Sequence, residues 1–442
     1  METIPLLPDP VKLVRDAARS AGRVLQEGAQ RITEKTLDLI LDLPELQARQ
    51  FEIEQRGKED ILHLYCEHRH DFGICPPCRE VSERPYENKL RCARDLDMGK
   101  WRVFIHFTGR RFYCEQCERA FTERMTSIDL RRRQTRRLEQ YVYQRCLSSS
   151  RKAVAEEIWL DQTTVKDIFK RWAKKVVKVQ RRQTVRVLGI DEIALKKRHK
   201  QFVLVISDLE RRCVISVLPS REKAHLEKWL SDLSEFERKA IRVVSMDMWN
   251  PYRSAVRAKL PHADIVADRF HVMKQLNDRL TQMRRAIQRK ANPATKEILK
   301  GSRWLLVKNR SDLTLEEAAR LTDILNASPE LRDVYLLKEE FRTIFEKIND
   351  LHQAELFLKA WVWKAIGTGN PYLAKFVSTL RNWWTEILQY FGERFTNGFV
   401  EGINRAIRVI INRAYGFRNF HNFRLQVLAQ HGSPVSNPTI PR

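Results

Sequence analysis

The chain has 442 residues, 81 Lys+Arg against 56 Asp+Glu, a formal net charge of +25 and 43% hydrophobic residues. That length accommodates two to four domains of roughly 100 to 200 residues. A cationic excess this large favours a polyanionic partner, nucleic acid first, because each neutralised phosphate releases counterions. No apolar run reaches the roughly 18 residues of a membrane span. Residues 1–12 (METIPLLPDPVK) carry prolines and acids where a secretory leader is apolar. A membrane class is therefore excluded and a cytoplasmic protein is predicted.

In chain order, residues 9–50 carry a helical pattern, with Val11, Leu13 and Val14, then Leu37, Leu39, Ile40 and Leu41, broken at Pro44. Residues 1–50 are thus predicted as a helical segment that packs or dimerises. Residues 51–125 are polar and cysteine-rich, with an alternating run, Trp101, Val103, Ile105 and Phe107, that puts apolar side chains on one face of a strand.

Six of the eight cysteines, Cys66, Cys75, Cys78, Cys92, Cys114 and Cys117, fall in this early region, while Cys146 and Cys213 stand apart. In a reducing compartment such clustering indicates metal, not disulfides. Cys75-Pro-Pro-Cys78 and Cys114-Glu-Gln-Cys117 are two CxxC knuckles, each able to supply two thiolates to one tetrahedral zinc. Four protein ligands leave no open position, so the ion would be structural. Cys66, His68, His70 and Cys92 are alternative ligands or bystanders.

Residues 126–180 read as an all-α, strongly basic helix-turn-helix domain, opening on RRRQTRR at 131–137. A short helix over 150–159, a turn at Leu160 and Asp161 with Asp161 capping, and a second helix over 162–172 are predicted. Val165, Ile168, Phe169 and Trp172 follow i, i+3, i+4, i+7 spacing, leaving Gln162, Thr163, Lys166 and Lys170 outward to meet base edges or phosphates. An ordinary helical hairpin has the same pattern. The flanking basic clusters, including Arg131, Arg132 and Arg133, favour DNA.

After the basic stretch 174–183, five strand-like runs end at Asp191, Asp208, Leu218, Asp247 and Asp268, with a helix over 224–239 between the third and fourth. From His271 to about Tyr390 the pattern is helical, and a last helix begins near Gly398. An aspartate after a strand is usually a turn residue or a helix cap. Two carboxylates at neighbouring strand ends can instead hold two divalent ions for phosphoryl transfer, Mg²⁺ (or Mn²⁺) suiting oxygen ligands best. Strand with Asp191, two hairpin-like strands, helix, strand with Asp247, helix, strand and a late helix carrying Glu401 is the element order of a ribonuclease H-like fold.

The stretches GIDEIALKKRHKQFVLVISD, SMDMWNPYRSAV, LPHADIVADRFHVMKQLNDRL, GSRWLLVKNR and TNGFVEGINRAIRVIINRAYGFRNFHNFR closely resemble the DDE domain of insertion-sequence transposases of the ISL group. The resemblance covers about residues 35–430, in the family's order of zinc module, helix-turn-helix and catalytic domain. It makes Asp191, Asp247 and Glu401 the catalytic, Mg²⁺-binding triad. The stretch from Asp247 to Glu401 is too long for a bare fold of this type and implies a large helical insertion. Asp268-Arg-Phe-His271 is similar to the (C/D)xxH signature of such inserted transposases. His271 is then a candidate for orienting a scissile phosphate or a metal ligand, or a structural helix-start histidine, and Asp268 is the alternative metal ligand.

The architecture expected is multidomain α+β: a helical segment (1–50), a small zinc-binding module (51–125), a helix-turn-helix domain (126–180), a ribonuclease H-like α/β catalytic domain (181–275 and 396–430), a helical insertion (276–395) and a tail (431–442). Lys196, Lys197 and Arg405 join the DNA-contacting residues. Asn404 and Arg405, one turn from Glu401, could contact DNA or support the site, and Trp361, Trp363, Trp383 and Trp384 are expected in a core. Glu192 and Asp208 are expected in local salt bridges. The activity implied is binding of terminal inverted repeats, cleavage at the element ends and joining of the 3′-OH to target DNA by a homodimer or larger synaptic assembly in the bacterial nucleoid. A catalytically inactive DNA-binding regulator and a structure-specific nuclease of the same fold are the competing readings.

Overall fold

The computed structural model describes residues 36–39, 41–57, 59–180, 184–196, 201–393, 395 and 398–432. The chain divides between Trp172 and Ala173 into two units.

In the first unit, β1 (Leu46–Arg56), β2 (Glu59–His68), β5 (Pro85–Arg94), β6 (Trp101–Cys114) and β7 (Arg119–Thr122) form one sheet, and β3 (Gly73–Ile74) pairs with β4 (Val81–Ser82). The sheet runs β1-β2-β6-β5, with β7 on the far end of β6. Val103, Ile105 and Phe107 are buried on its inner face with Leu62 and Leu64, as the alternation predicts. The helical expectation through residue 50 fails at Leu46. Only 36–39 and 41 are helical, and beyond Pro44 the chain joins β2, with Leu46 and Ala48 buried at period two. Val11, Leu13, Val14 and Ile40 lie outside the described residues.

Helix α1 (Arg136–Ser148) starts later than the basic run suggested. Residues 131–134 are held as a loop against the end of β5, where Arg94 N donates to Arg133 O at 2.8 Å and Thr135 N to Arg94 O at 3.0 Å. Thr135 then caps α1 by accepting from Leu138 N. Helix α2 (Arg151–Ile158) is capped by Ser150 and ended by Trp159 in the left-handed region, φ 53°. Asp161 Oδ1 accepts from Thr163 N at 2.7 Å and Thr164 N at 3.3 Å, opening α3 (Gln162–Gln180), as expected of the turn. Leu138, Val142, Val154, Ile158, Val165, Ile168 and Phe169 are buried in these three helices. Helix α3 runs on to Gln180 through the stretch read as a boundary.

The second unit opens with β8 (Val187–Lys196), β9 (Gln201–Asp208), β10 (Cys213–Leu218), α4 (Lys223–Ser231), α5 (Glu235–Ala240), β11 (Val243–Met246), α6 (Asn250–Lys259), β12 (Asp264–Ala267) and α7 (Arg269–Lys290). Its sheet runs β10-β9-β8-β11-β12; β8 pairs antiparallel with β9 and parallel with β11, which pairs parallel with β12. The single helix expected over 224–239 is two, because Ser234 and Glu237 form a capping box that restarts the chain.

The expected helical stretch follows: α8 (Pro293–Leu299), α9 (Arg303–Val307), α10 (Leu315–Asn326), α11 (Pro329–Lys347), α12 (Leu351–Gly367), α13 (Pro371–Asn382) and α14 (Trp384–Glu393). Proline in the first turn of α8, α11 and α13 follows a capping Asn292, Ser328 or Asn370. Phe341, Phe345, Trp361, Phe376, Tyr390 and Phe391 form an aromatic core. Trp383 is also buried and Trp384 half-buried, but Trp363 stands 81% exposed on the outer side of α12, against expectation. The chain returns in α15 (Gly398–Arg413), which packs on β8, and α16 (Phe420–His431), which packs on β10. The final helix is thus two, broken at Tyr415 and Gly416, both with positive φ. Among the described residues no helix is long and apolar enough to cross a membrane.

Candidate active site and cysteine cluster

Three parallel strands deliver three aspartates to one sheet edge. Asp247 follows β11 directly, and Asp268 follows β12 and caps α7, its Oδ1 accepting from Phe270 N at 3.0 Å. Asp191 lies one residue beyond the last β8–β11 pair, Ile190↔Met246. It does not end its strand, as had been expected: β8 continues to Lys196 because β9 still offers a ladder there, with Asp191 opposite Val205. Two residues earlier a side chain on Gly189 would meet the Leu209 side chain at 2.6 Å, so any larger residue there requires Leu209 to shift.

His271, one turn into α7, stands between two of the aspartates. Its Nδ1 donates to Asp268 Oδ2 at 2.7 Å and lies 2.7 Å from Asp247 Oδ1, which is outside hydrogen-bond geometry. Burial opposes the charged ring, but the close Asp247 carboxylate, the bond to Asp268 and the charges of both aspartates prevail and hold it protonated up to about 10. Asp191 is raised as well, which here favours the neutral form: burial first, then the charge of Asp247, pushes its carboxyl up to about 7. A half-buried pair of like-charged groups on neighbouring strands is the electrostatics of a cation site.

Helix α15 buries Val400, Ile403, Ile407 and Ile410, carries the half-buried Asn404 at the border of that face, and leaves Glu401 and Arg405 exposed. Asn404 Nδ2 donates to Asp191 Oδ2, and Arg405 pairs with Glu401. All of these groups line one cleft of about 1580 Å³ with Asp247, Asp268 and His271. Metal-competent atoms of Asp247, Asp268 and His271 lie within 4.8 Å of one another; Asp191 and Glu401 are outside that tightest group. Glu192 pairs with Arg221 and Asp208 with Arg211, the local bridges expected of them. Tyr252 escaped the sequence reading: it is fully buried, and burial, Glu192 and Asp247 keep its hydroxyl protonated. It shares the buried face of α6 with Ala255 and Val256, and that i, i+3, i+4 pattern carries no sign of the carboxylates nearby. The side chain of Lys196 and the whole of Lys197 lie outside the described residues.

In the first unit the two knuckles converge as predicted. Cys75 Sγ lies 3.9 Å from Cys117 Sγ, and Cys78 Sγ lies 3.5 Å from Cys114 Sγ. A tetrahedral zinc with Zn–S of about 2.3 Å has S···S edges of about 3.8 Å, so the four sulfurs fit that ion. Each knuckle ends in a left-handed residue, Arg79 (φ 66°) and Glu118 (φ 50°), which turns the chain back over its cysteines. The Glu80 N–H bonded to Cys78 holds that thiol down at about 7. Phe112 and Phe121 pack beside the cluster. Cys66 is in the sheet core and His68 bonds Thr108 O, apart from the four.

On α3, Gln162, Thr163 and Lys166 are exposed and Lys170 half-buried, with Val165, Ile168 and Phe169 beneath; Arg131, Arg132 and Arg133 are exposed on the preceding loop.

An ISL3-type DDE model described as "Transposase" matches residues 188–427, and a "Helix-turn-helix domain of transposase family ISL3" matches 124–173. The chain belongs to the ISL3 transposase family. It is similar to the "Transposase for insertion sequence element IS1001" of Bordetella parapertussis, 30% identical over 83% of this chain and 91% of that one. It is also similar to the "Transposase for insertion sequence element IS1557" of Mycobacterium tuberculosis, 27% identical over 75% of this chain and 79% of that one. This ISL3 transposase is therefore a DNA-binding enzyme with helix-turn-helix and DDE domains, and a DDE domain implies divalent-metal use.

Proposed function

We propose that this transposase binds the terminal inverted repeats of its element, hydrolyses a phosphodiester at each end, and joins the freed 3′-OH to target DNA in the same cleft. The observation that carries the reading is the convergence of Asp191 and Asp247 on adjacent parallel strands, close enough for one charge to raise the other's pKa, in a cleft shared with Glu401. Asp191, Asp247 and Glu401 would hold the divalent ions, with Asn404 fixing the rotamer of Asp191 and His271 the carboxylates of Asp247 and Asp268. Bound Mg²⁺ (or Mn²⁺) supplies charge stabilisation to the attacking and leaving oxygens.

The sheet order β10-β9-β8-β11-β12, an antiparallel hairpin series extended by parallel strands, supports a ribonuclease H-like catalytic domain over 181–275 and 396–430 with 276–395 inserted. The sulfur spacing supports structural Zn²⁺ in a module over 51–125. Gln162, Thr163, Lys166 and Lys170, with Arg131 to Arg133, would grip the repeats. Handling two ends together calls for at least a homodimer.

A different ligand set is favoured by one observation: Asp268 sits with Asp247 and His271 while Glu401 is occupied by Arg405. Comparing Glu401→Gln with Asp268→Asn separates the two, since removal of a true ligand loses cleavage that high Mg²⁺ does not restore, whereas the other change leaves cleavage recoverable. For the activity itself, a pre-cleaved end is supplied with plasmid target. A joined product supports the transposase reading, and cleavage without joining supports a nuclease. Asp247→Asn abolishes both steps and leaves end binding intact; cleavage surviving that change overturns the assignment.

A further inference from the structure

Two large aromatic rings stand on the wall of the catalytic cleft with most of their surface open. Phe270, two residues after Asp268 and one before His271, is 58% exposed, and Trp304 on α9 is 68% exposed. Both line the cleft that contains Asp191, Asp247 and Glu401. The core does not use them: α7 buries Val272 and Leu276, and α9 buries Leu305 and Leu306. The Phe270 ring meets His271 edge-on, centroids 5.4 Å apart, so it adjoins the aspartate–histidine group directly. The Arg303 guanidinium sits 4.8 Å over the Trp304 ring. Lys274 and Arg408 line the same cleft with no ion pair among the described residues.

Scattered exposed hydrophobic residues are ordinary. Two aromatic rings among unpaired cations, one of them beside the reacting carboxylates, have the composition of a single-strand site, where cations follow phosphates and rings stack bases. A base inside a duplex presents no free face, so such rings are useful only to a base taken out of the stack.

We infer that the cleft takes an unpaired nucleotide next to the scissile phosphate, its base stacked on Phe270, with Trp304 receiving a neighbouring base. The enzyme thus cuts DNA at a locally opened position. This rests on the reading of Asp191 and Asp247 as the cleavage centre.

The test uses the full chain and duplexes of the element's own terminal sequence, one fully paired and one mismatched at the nucleotide flanking the cut. Phe270→Ala and Trp304→Ala cut the paired duplex about 10- to 100-fold more slowly, and the mismatch, which removes the cost of opening, restores most of the rate. Phe270→Tyr retains it, and Trp363→Ala, on the outer side of α12, changes neither substrate. Equal loss on both duplexes, or full rate on the paired one, overturns the proposal. A second readout needs no cleavage: 2-aminopurine at the flanking position brightens severalfold when Asp247→Asn protein binds and does not when Phe270→Ala is added. No brightening with Asp247→Asn alone also overturns it. Cleavage that survives Asp247→Asn instead overturns the underlying site.

Discussion

Asn404 of α15 donates its side-chain amide to Oδ2 of Asp191 on β8, joining two residues 213 apart in sequence. The other Asp191 oxygen accepts from Glu192 N at 2.7 Å, so the carboxylate is held at both ends. A ligand so oriented meets a cation without first losing rotamer freedom.

Asn404→Ala should therefore lower strand cleavage about 10- to 100-fold at limiting Mg²⁺, with much of the loss recovered at high Mg²⁺. Asn404→Asp, which sets a third negative charge against Asp191, should lose more. Rates measured across a Mg²⁺ titration decide it, and an unchanged profile in Asn404→Ala would mean that the bond is incidental.

Burial and the charge of Asp247 raise the Asp191 carboxyl from 3.8 to about 7. Between those values the folded metal-free protein binds a proton that the unfolded chain has released, so this group's contribution to stability falls as pH rises from about 4 to 7 and stays low above. Asp191→Asn removes that dependence. The variant should melt a few degrees above the unaltered protein at pH 8 without metal, about 1 to 2 kcal/mol after solvent screening, and no higher at pH 4. A melting series over pH in chelator measures it, and a constant difference across the range contradicts it.

Cys114 is buried at the corner of the four-sulfur cluster, beside Phe112 and Phe121. Cys114→Ser should release zinc, measurable by metal analysis, and abolish end binding through loss of the first unit's fold, since structural zinc sites contribute folding free energy directly. Normal end binding in strong chelator would remove the structural role.

On α3 the exposed positions divide by chemistry. Lys166→Ala should reduce the slope of log affinity against log salt by about one and weaken all sequences alike, whereas Gln162→Ala should cost about 1 to 3 kcal/mol on the true ends only. Binding isotherms on end and random duplexes at several salt concentrations separate them, and interchange of the two patterns would reverse the assigned roles.

Much of this organisation was legible in one dimension. The helix-turn-helix could be read because Ser150 and Asp161 act on their own next turn and Val165, Ile168 and Phe169 share one helical face. The knuckles could be read because CxxC spacing is itself a local geometry. Errors came where a partner strand or an unrecognised local cap decided: Leu46 entered a sheet, β8 ran past Asp191 along β9, residues 131–134 became a loop tied to β5, and Ser234 split one helix into two. Trp363 is exposed because it shares the polar side of α12 with Glu355, Lys359 and Lys364, while Leu358, Trp361 and Ala365 take the buried side. The signal was there but blurred, because Leu356, Phe357 and Ile366 also lie on the open side.

The sequence by itself determined the polyanionic partner class, the paired cysteine knuckles, the two helices of the helix-turn-helix and the aspartates that follow β11 and β12, because each depends on charge, spacing or backbone chemistry within a short stretch. Only the tertiary structure decided that Asn404 holds Asp191, that His271 lies between Asp247 and Asp268, and that Phe270 and Trp304 stand open beside them. Those relations depend on which strands are neighbours and which side of a helix faces the sheet. Such choices are made by burial over the whole second unit, not by any local pattern.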